Sequence, residues 1–247
     1  MSRAQRLVVD KLTVSFDGFK ALNELSLHVE PGELLCIIGP NGAGKTTMMD
    51  VITGRTRPSS GMARFGEANL LKMDEAQIVS TGIGRKFQKP RIFDDLTVSE
   101  NLMLPLLGSQ SFLRGLLMRL TGAQRERIDE VLNVIGLQDC RNAPGRLLVH
   151  SQRQWLEIGM LLICDPGLLL VDEAVAGMTP QEVDRTAKLL LSLAGEHSIV
   201  VVEHDMDFVR SIARRVIVLH EGHVLEEGGM KAIQSSPRVI EVYLGEC

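Results

Sequence analysis

Residues 39–47 read Gly39-Pro40-Asn41-Gly42-Ala43-Gly44-Lys45-Thr46-Thr47 and fit the pattern G-x-x-x-x-G-K-[ST]. That pattern restricts the chain to folds in which a strand runs into a glycine turn and a helix follows. The flanks supply both parts. Leu34-Leu35-Cys36-Ile37-Ile38 is an apolar run of strand length, and residues 46–53 read as a helix. Glycines let backbone N–H groups turn inward around phosphate oxygens, and a helix N-terminus adds partial positive charge. Lys45 would reach the β- and γ-phosphates of a nucleotide and Thr46 would hold Mg²⁺. A chance glycine turn is the plain alternative. All four fixed positions and the strand–helix context weigh against it.

Composition sets the outer bounds. The 247 residues suffice for one or two domains with a sizeable core. At 45% hydrophobic and 23% charged residues, the chain has enough apolar surface to fold. A net charge of −4 gives no reason to expect a nucleic-acid partner. No basic, apolar signal segment is read at the start. The most membrane-like stretch, residues 112–120, is broken by Arg114, Gly115 and Arg119. Cys36, Cys140, Cys164 and Cys247 lack metal-ligand spacing, so reduced thiols in a cytosolic protein are expected.

Residues 7–16 and 25–29 alternate apolar and polar positions, as antiparallel strands with one exposed face do. Pro31-Gly32 is a turn before the phosphate-loop strand. A short strand is expected within residues 78–87. From Lys89 the pattern turns helical. Thr97 and Glu100 form a capping box whose helix Pro105 interrupts. Residues 125–135 carry a helical stripe at Ile128, Val131, Leu132 and Ile135, and residues 151–164 read as another helix. Leu168-Leu169-Leu170-Val171 resembles a parallel strand covered on both faces. Helices over residues 180–194 and 206–213 alternate with a strand at 198–202. A hairpin of residues 216–219 and 223–227 precedes a short amphipathic tail. Alternating strands and helices predict an α/β core with a parallel sheet.

The chemistry gathers at strand ends. Asp172-Glu173 follows an apolar strand, and sites in such sheets lie at the carboxyl ends of strands. Asp172 would hold Mg²⁺ through water, and Glu173 would orient or deprotonate an attacking water. A solvated helix cap is the alternative for the pair. Gln88, in Arg85-Lys86-Phe87-Gln88-Lys89-Pro90, could meet both Mg²⁺ and that water. A lone Gln is more often a surface residue. His204 follows another buried strand and could donate to a γ-phosphate, or serve as a structural hydrogen-bonder.

The order phosphate loop, Gln88, Leu148-Val149-His150-Ser151-Gln152, Asp172-Glu173 and His204 resembles an ABC-transporter ATP-binding subunit across essentially the whole chain. Finer features narrow the likeness to the branched-chain amino acid and urea importer group, with the urea type most similar. They are Phe87-Gln88 with Ile92-Phe93, Gln154-Trp155-Leu156-Glu157-Ile158, Val175-Ala176-Gly177-Met178-Thr179 and Val242-Tyr243-Leu244-Gly245-Glu246. The resemblance implies a P-loop NTPase core with a parallel sheet, an N-terminal antiparallel β subdomain and a helical insertion. It implies one ABC ATPase domain. Residues 1–88 and 153–227 would form the nucleotide-binding core, 89–152 the helical subdomain, and 228–247 a C-terminal tail. It also implies ATP and Mg²⁺ as ligands, a second cassette as partner, and transmembrane permease subunits fed by a periplasmic binding protein. The place would be the cytoplasmic face of the membrane. Phe16 falls where an aromatic ring stacks on adenine. Phe19 is the runner-up, and core packing is the alternative for either.

The signature departs from the family's Leu-Ser-Gly-Gly-Gln, or Leu-Ser-His-Gly-Gln in the urea type. Val149 stands for the serine and Ser151 for the second glycine, while Gln152 is kept. In the family these positions contact the γ-phosphate held by the partner subunit. Val149 offers no hydroxyl, and Ser151 adds a side chain where backbone approaches phosphate. Ala174 and Thr179, where proline and aspartate are usual, are milder changes. Two rivals follow: an ATP-binding subunit with weak or no hydrolysis, and a soluble ABC ATPase outside transport. Only about sixty residues separate Gln88 from Leu148 and there is a single phosphate loop, which disfavours the second.

Overall fold

The computed structural model describes residues 4–86, 91–107 and 120–244. Strands β1 (Leu7–Phe16) and β2 (Phe19–Val29) pair antiparallel, and their alternation sends Leu7, Val9, Leu12 and Val14 inward. The sequence pattern marks only residues 25–29 of β2. The strand starts earlier because Asp17-Gly18, both at positive φ, form a tight turn that pairs Phe16 with Phe19. After β3 (Leu34–Ile38) and α1 (Lys45–Ile52) come β4 (Ser60–Phe65) and β5 (Ala68–Asn69), a hairpin the sequence reading misses. Its apolar alternation is too short to stand out. These strands make a four-stranded antiparallel sheet ordered β2-β1-β4-β5.

Residues 78–87 hold both an element end and a strand. Ile78 belongs to α2 (Glu75–Ser80), opened by an Asp74–Gln77 capping box, and the strand is the shorter β6 (Ile83–Lys86). The helical stretch begins with α3 (Val98–Met103), capped by Thr97 and Glu100 as expected, and Pro105 sits in the 3₁₀ turn that follows it. Helix α4 (Gly122–Ile135) starts three residues before the apolar stripe because Thr121 and Gln124 form its capping box. Then follow α5 (His150–Leu162), β7 (Leu168–Asp172), α6 (Pro180–Leu193), β8 (Ser198–Val202) and α7 (Met206–Ile212). The chain closes with the hairpin β9 (Arg215–His220) and β10 (His223–Gly228), then the short helices α8 (Met230–Ser235) and α9 (Pro237–Leu244).

The second sheet is ordered β10-β9-β3-β8-β7-β6. Its pairs are parallel except for the edge pair β10–β9. Successive side chains on a strand face opposite ways, and this splits the apolar runs between two cores. Leu35, Ile37, Leu168, Leu170, Val200 and Val202 pack with α1 and the antiparallel sheet. Cys36, Ile38, Leu169, Val171, Ile199 and Val201 pack with the helical side, against Trp155, Leu156 and Leu190. Burial pushes the Cys36 thiol up to about 12, so it behaves as a small apolar residue. On that side α5 is bound to α6. Trp155 donates from its ring N–H to Thr186 Oγ1 at 3.0 Å, and the Arg185 guanidinium lies 3.8 Å from its ring centroid.

Candidate nucleotide site

The parallel order β3-β8-β7 brings three strand ends to one edge of the sheet. The glycine loop follows β3, Asp172-Glu173 closes β7, and Glu203-His204 follows β8. The loop holds its shape through glycine. Gly44 has φ +100, and a Cβ there would stand 2.5 Å from the Ala21 carbonyl oxygen. Gly42 has φ +81 with nothing near its missing side chain, which leaves the mouth of the loop open. The first bond of α1 runs from Met48 N–H to Gly44 C=O, so the N–H groups of Lys45, Thr46 and Thr47 precede the helical ladder. Lys45 Nζ donates to the Gly39 and Pro40 carbonyls at 2.6 and 2.8 Å, which holds the ammonium over the loop.

A groove of about 300 Å³ lies beside it. Phe16, Phe19, Asn41, Gly42, Ala43, Gly44, Lys45, Thr46, Thr47, Asp172, Glu173 and Val202 line it. Phe16 and Phe19 are 51% and 66% exposed, so neither is the core residue that was the alternative for them. Both belong to the lining of the groove that holds the loop residues. The donor set suits a nucleotide with Mg²⁺. It offers a helix N-terminus and a lysine for phosphates, and one hydroxyl and one carboxylate for a cation that otherwise keeps waters and phosphate oxygens. Among the described residues no cluster of three or more His, Cys, Asp or Glu side chains forms a cage that would hold a metal without a substrate.

The acids are held from several sides. Burial pushes the Asp172 carboxyl up, against the pull of Arg85. Arg85 sits on β6 with its Nη1 2.5 Å from Asp50 Oδ1 and its Nη2 3.5 Å from Asp172 Oδ2. Glu173 adopts φ +46, a strained value for a residue with a side chain, and its N–H bonds to Val202 C=O at 3.0 Å. The adjacent Glu203 is buried and accepts from the Val175 and His204 N–H groups. Burial pushes its carboxyl up too. The sequence reading missed Asp50, Arg85, Lys86 and Glu203. For Arg85, Lys86 and Glu203 the signal was present, because a charged residue inside an apolar strand or at its end needs a partner.

Four expected residues are not among those lining this groove: His204, Val149, Ser151 and Gln152. The His204 ring is exposed, with Nδ1 4.0 Å from Glu203 Oε2. Gln88 lies outside the described residues. Val149 caps α5, Ser151 and Gln152 lie in its first turn, and none of the three lines this groove. There Gln152 Oε1 accepts the Val149 N–H at 3.1 Å. Val149 is 58% exposed, whereas Ser151 is only 2% exposed and donates its hydroxyl to Glu182 on α6. His150 Nε2 lies 3.1 Å from the Ala176 carbonyl.

Comparisons with known proteins give the family and the fold. The sequence profile of a family described as "ABC transporter" matches residues 22–176. The high-affinity branched-chain amino acid transport ATP-binding protein BraF of Pseudomonas aeruginosa is 34% identical, over 97% of this chain and 98% of its own. The corresponding protein LivG of Escherichia coli K12 is 34% identical over the same shares. A crystal structure of an ATP-binding cassette of an ABC transporter in its ADP conformation superposes with a TM-score of 0.87. It is 29% identical and covers 98% of this chain and 99% of that one.

Proposed function

The chain belongs to the ABC transporter family of ATP-binding subunits, and from that premise we propose that it hydrolyses ATP to drive an importer. The observation that carries the proposal is the single groove shared by Phe16, the phosphate loop, Lys45, Thr46, Asp172 and Glu173. Adenine stacks on Phe16 and the triphosphate lies along residues 39–47. Thr46, Asp172 and Gln88 would hold Mg²⁺, which would neutralise phosphate charge. Glu173 accepts the proton of the attacking water, and His204 donates to the γ-phosphate. Catalysis is then positioning and charge stabilisation in a fixed frame.

Residues 1–88 and 153–227 act as the nucleotide-binding core, 89–152 as the helical subdomain with the signature, and 228–247 as the tail. ATP closes this cassette on a second one, and hydrolysis reopens the pair. The motion passes to transmembrane permeases at the cytoplasmic face of the membrane. An apolar groove of about 470 Å³ between β6 and the helices, bordered by Arg91, Pro105, Met160 and Leu161, supports that contact. Among the described residues no helix is long and apolar enough to cross a membrane. The cargo class is branched-chain amino acids, as the relatives' names say of them, or urea and short amides, as the motifs near Gln88 and Gln154 suggest. ATP turnover by the chain alone and with its co-encoded permeases and cassette tests the reading. No ATP binding under either condition sinks it.

The signature supports a second reading, a cassette with weak hydrolysis. The exposed Val149 brings no hydroxyl to a partner's γ-phosphate, and the Ser151 hydroxyl is already given to Glu182. If the partner is a different cassette, this chain's own phosphate loop still builds one complete site.

A further inference from the structure

We propose that Lys86 is a positioning residue for Glu173: its buried ammonium holds the Asp172–Glu173 peptide in the orientation that aims the Glu173 carboxylate. The inference rests on the reading of Glu173 as the base and extends it to a residue that does not touch nucleotide.

Lys86 is fully buried, at 0% exposure, an uncommon state for a lysine. It ends β6, which runs parallel to β7 with Lys86 beside Val171 and Arg85 beside Leu170. Neighbouring residues on a strand face opposite sides of the sheet, so the two cations reach residue 172 from opposite faces. Arg85 takes the Asp172 carboxylate from the α1 side. Lys86 Nζ donates to the Asp172 backbone carbonyl at 3.2 Å.

That carbonyl belongs to the peptide unit whose N–H is Glu173's. The N–H end bonds to Val202 C=O on β8 at 3.0 Å. The unit is therefore gripped at both ends, by β6 through Lys86 and by β8 through Val202. Such a grip matters here because Glu173 sits at φ +46, where a side-chain-bearing residue relaxes unless its surroundings fix it. Burial lowers the Lys86 pKa, and the negative charges of Glu157, Asp172, Glu203 and Glu173 oppose that shift. A merely structural lysine would be explained by Glu157 and Glu203 alone. The bond to the carbonyl one residue before the base is what points to positioning.

The test compares the full-length chain with Lys86→Met, Lys86→Gln and Glu173→Gln variants in two measurements. The first is hydrogen–deuterium exchange of the peptide containing Glu173, and the second is single-turnover ATP hydrolysis with the ATP-induced melting shift as a binding control. Lys86→Met should speed exchange at the Glu173 amide about tenfold or more, because that amide's bond loses its anchor. It should slow turnover roughly 10–100-fold while the melting shift persists. Lys86→Gln keeps a donor and should lie between. If Lys86→Met does not fold, Lys86→Gln decides alone, with the same signs. Wild-type exchange and wild-type turnover in the folded variants, or a loss confined to ATP binding, overturns the proposal. Wild-type turnover in Glu173→Gln instead removes the base assignment, and the exchange data still decide whether Lys86 holds the peptide.

Discussion

The hydroxyl of Ser151, at the head of α5, donates to the carboxylate of Glu182 in the first turn of α6. The same carboxylate accepts from the Thr179 N–H and hydroxyl, both at 2.8 Å. Its pKa is lowered by these bonds, that from Ser151 first. The signature helix is thus tied to the end of the loop that follows Asp172-Glu173. The tie exists because a serine stands where the family places glycine. It also turns that hydroxyl inward, so the buried Ser151 does not present it at the surface.

Restoring the family pattern should therefore raise function. Val149→Ser with Ser151→Gly should increase ATP-dependent dimerisation and ATPase activity. The new serine adds a donor toward a γ-phosphate, worth roughly 1.5–3 kcal/mol for a charged acceptor, or about tenfold or more in the closed state. Steady-state ATPase of single and double variants, alone and with the partner cassette, reads this out. Loss of activity on Ser151→Gly alone, with no gain in the double variant, would show that Ser151 has taken over the role.

Lys45→Ala should abolish ATP-induced thermal stabilisation, because only a ligand bound to the native state raises its stability. The Lys45 ammonium also braces the Gly39 and Pro40 carbonyls, so the variant's own melting temperature should fall slightly. Thermal scans with and without ATP separate the two effects. An unchanged shift would remove the nucleotide assignment.

Glu173→Gln should bind ATP but hydrolyse it roughly 10²–10⁴-fold more slowly, the usual contribution of a general base. The ATP-bound dimer should then accumulate and elute early in chromatography with Mg²⁺. Untouched turnover would mean another group takes the proton.

Phe16→Ala should weaken ATP binding by about 1–3 kcal/mol, the scale of base–aromatic stacking, and Phe19→Ala by clearly less. Both rings border the groove, so the comparison decides which one carries the adenine. Fluorescent-nucleotide titration of the two variants gives the ratio. The reverse order would transfer the role to Phe19.

Acid should reveal one stabilising contact away from the groove. Burial alone would raise the Glu33 carboxyl, but hydrogen bonds from Arg215 and from the Glu30 N–H outweigh it and hold it below the ordinary 4.5. Arg215 approaches the two carboxylate oxygens at 2.7 and 3.0 Å. A depressed folded value means stability that is present above the unfolded value and lost as pH falls through the folded one. The wild type should melt above Glu33→Gln at neutral pH. The gap should close as pH drops through about 4 and below. A gap that persists in acid would assign the difference to packing.

Local chemistry made much of this legible in the sequence. The phosphate loop, the three buried strand runs that lead to the site and the Thr97–Glu100 cap depend on residues close together in the chain, and they formed where the pattern placed them. The hairpin at residues 60–69 was not legible, since β4 is held by pairing with β1 and β5 by pairing with β4, and not by their own periodicity. The joining of Arg85, Asp50 and Asp172, and the bond from Lys86 to the peptide before Glu173, come from helix α1 and parallel strands distant in the chain. Those contacts exist only once the sheet order β8-β7-β6 is made. Sequence by itself determined which groups could handle a nucleotide. The tertiary structure decided how the acids are held, and that the Ser151 hydroxyl faces Glu182 instead of the surface, because both depend on which elements pack together.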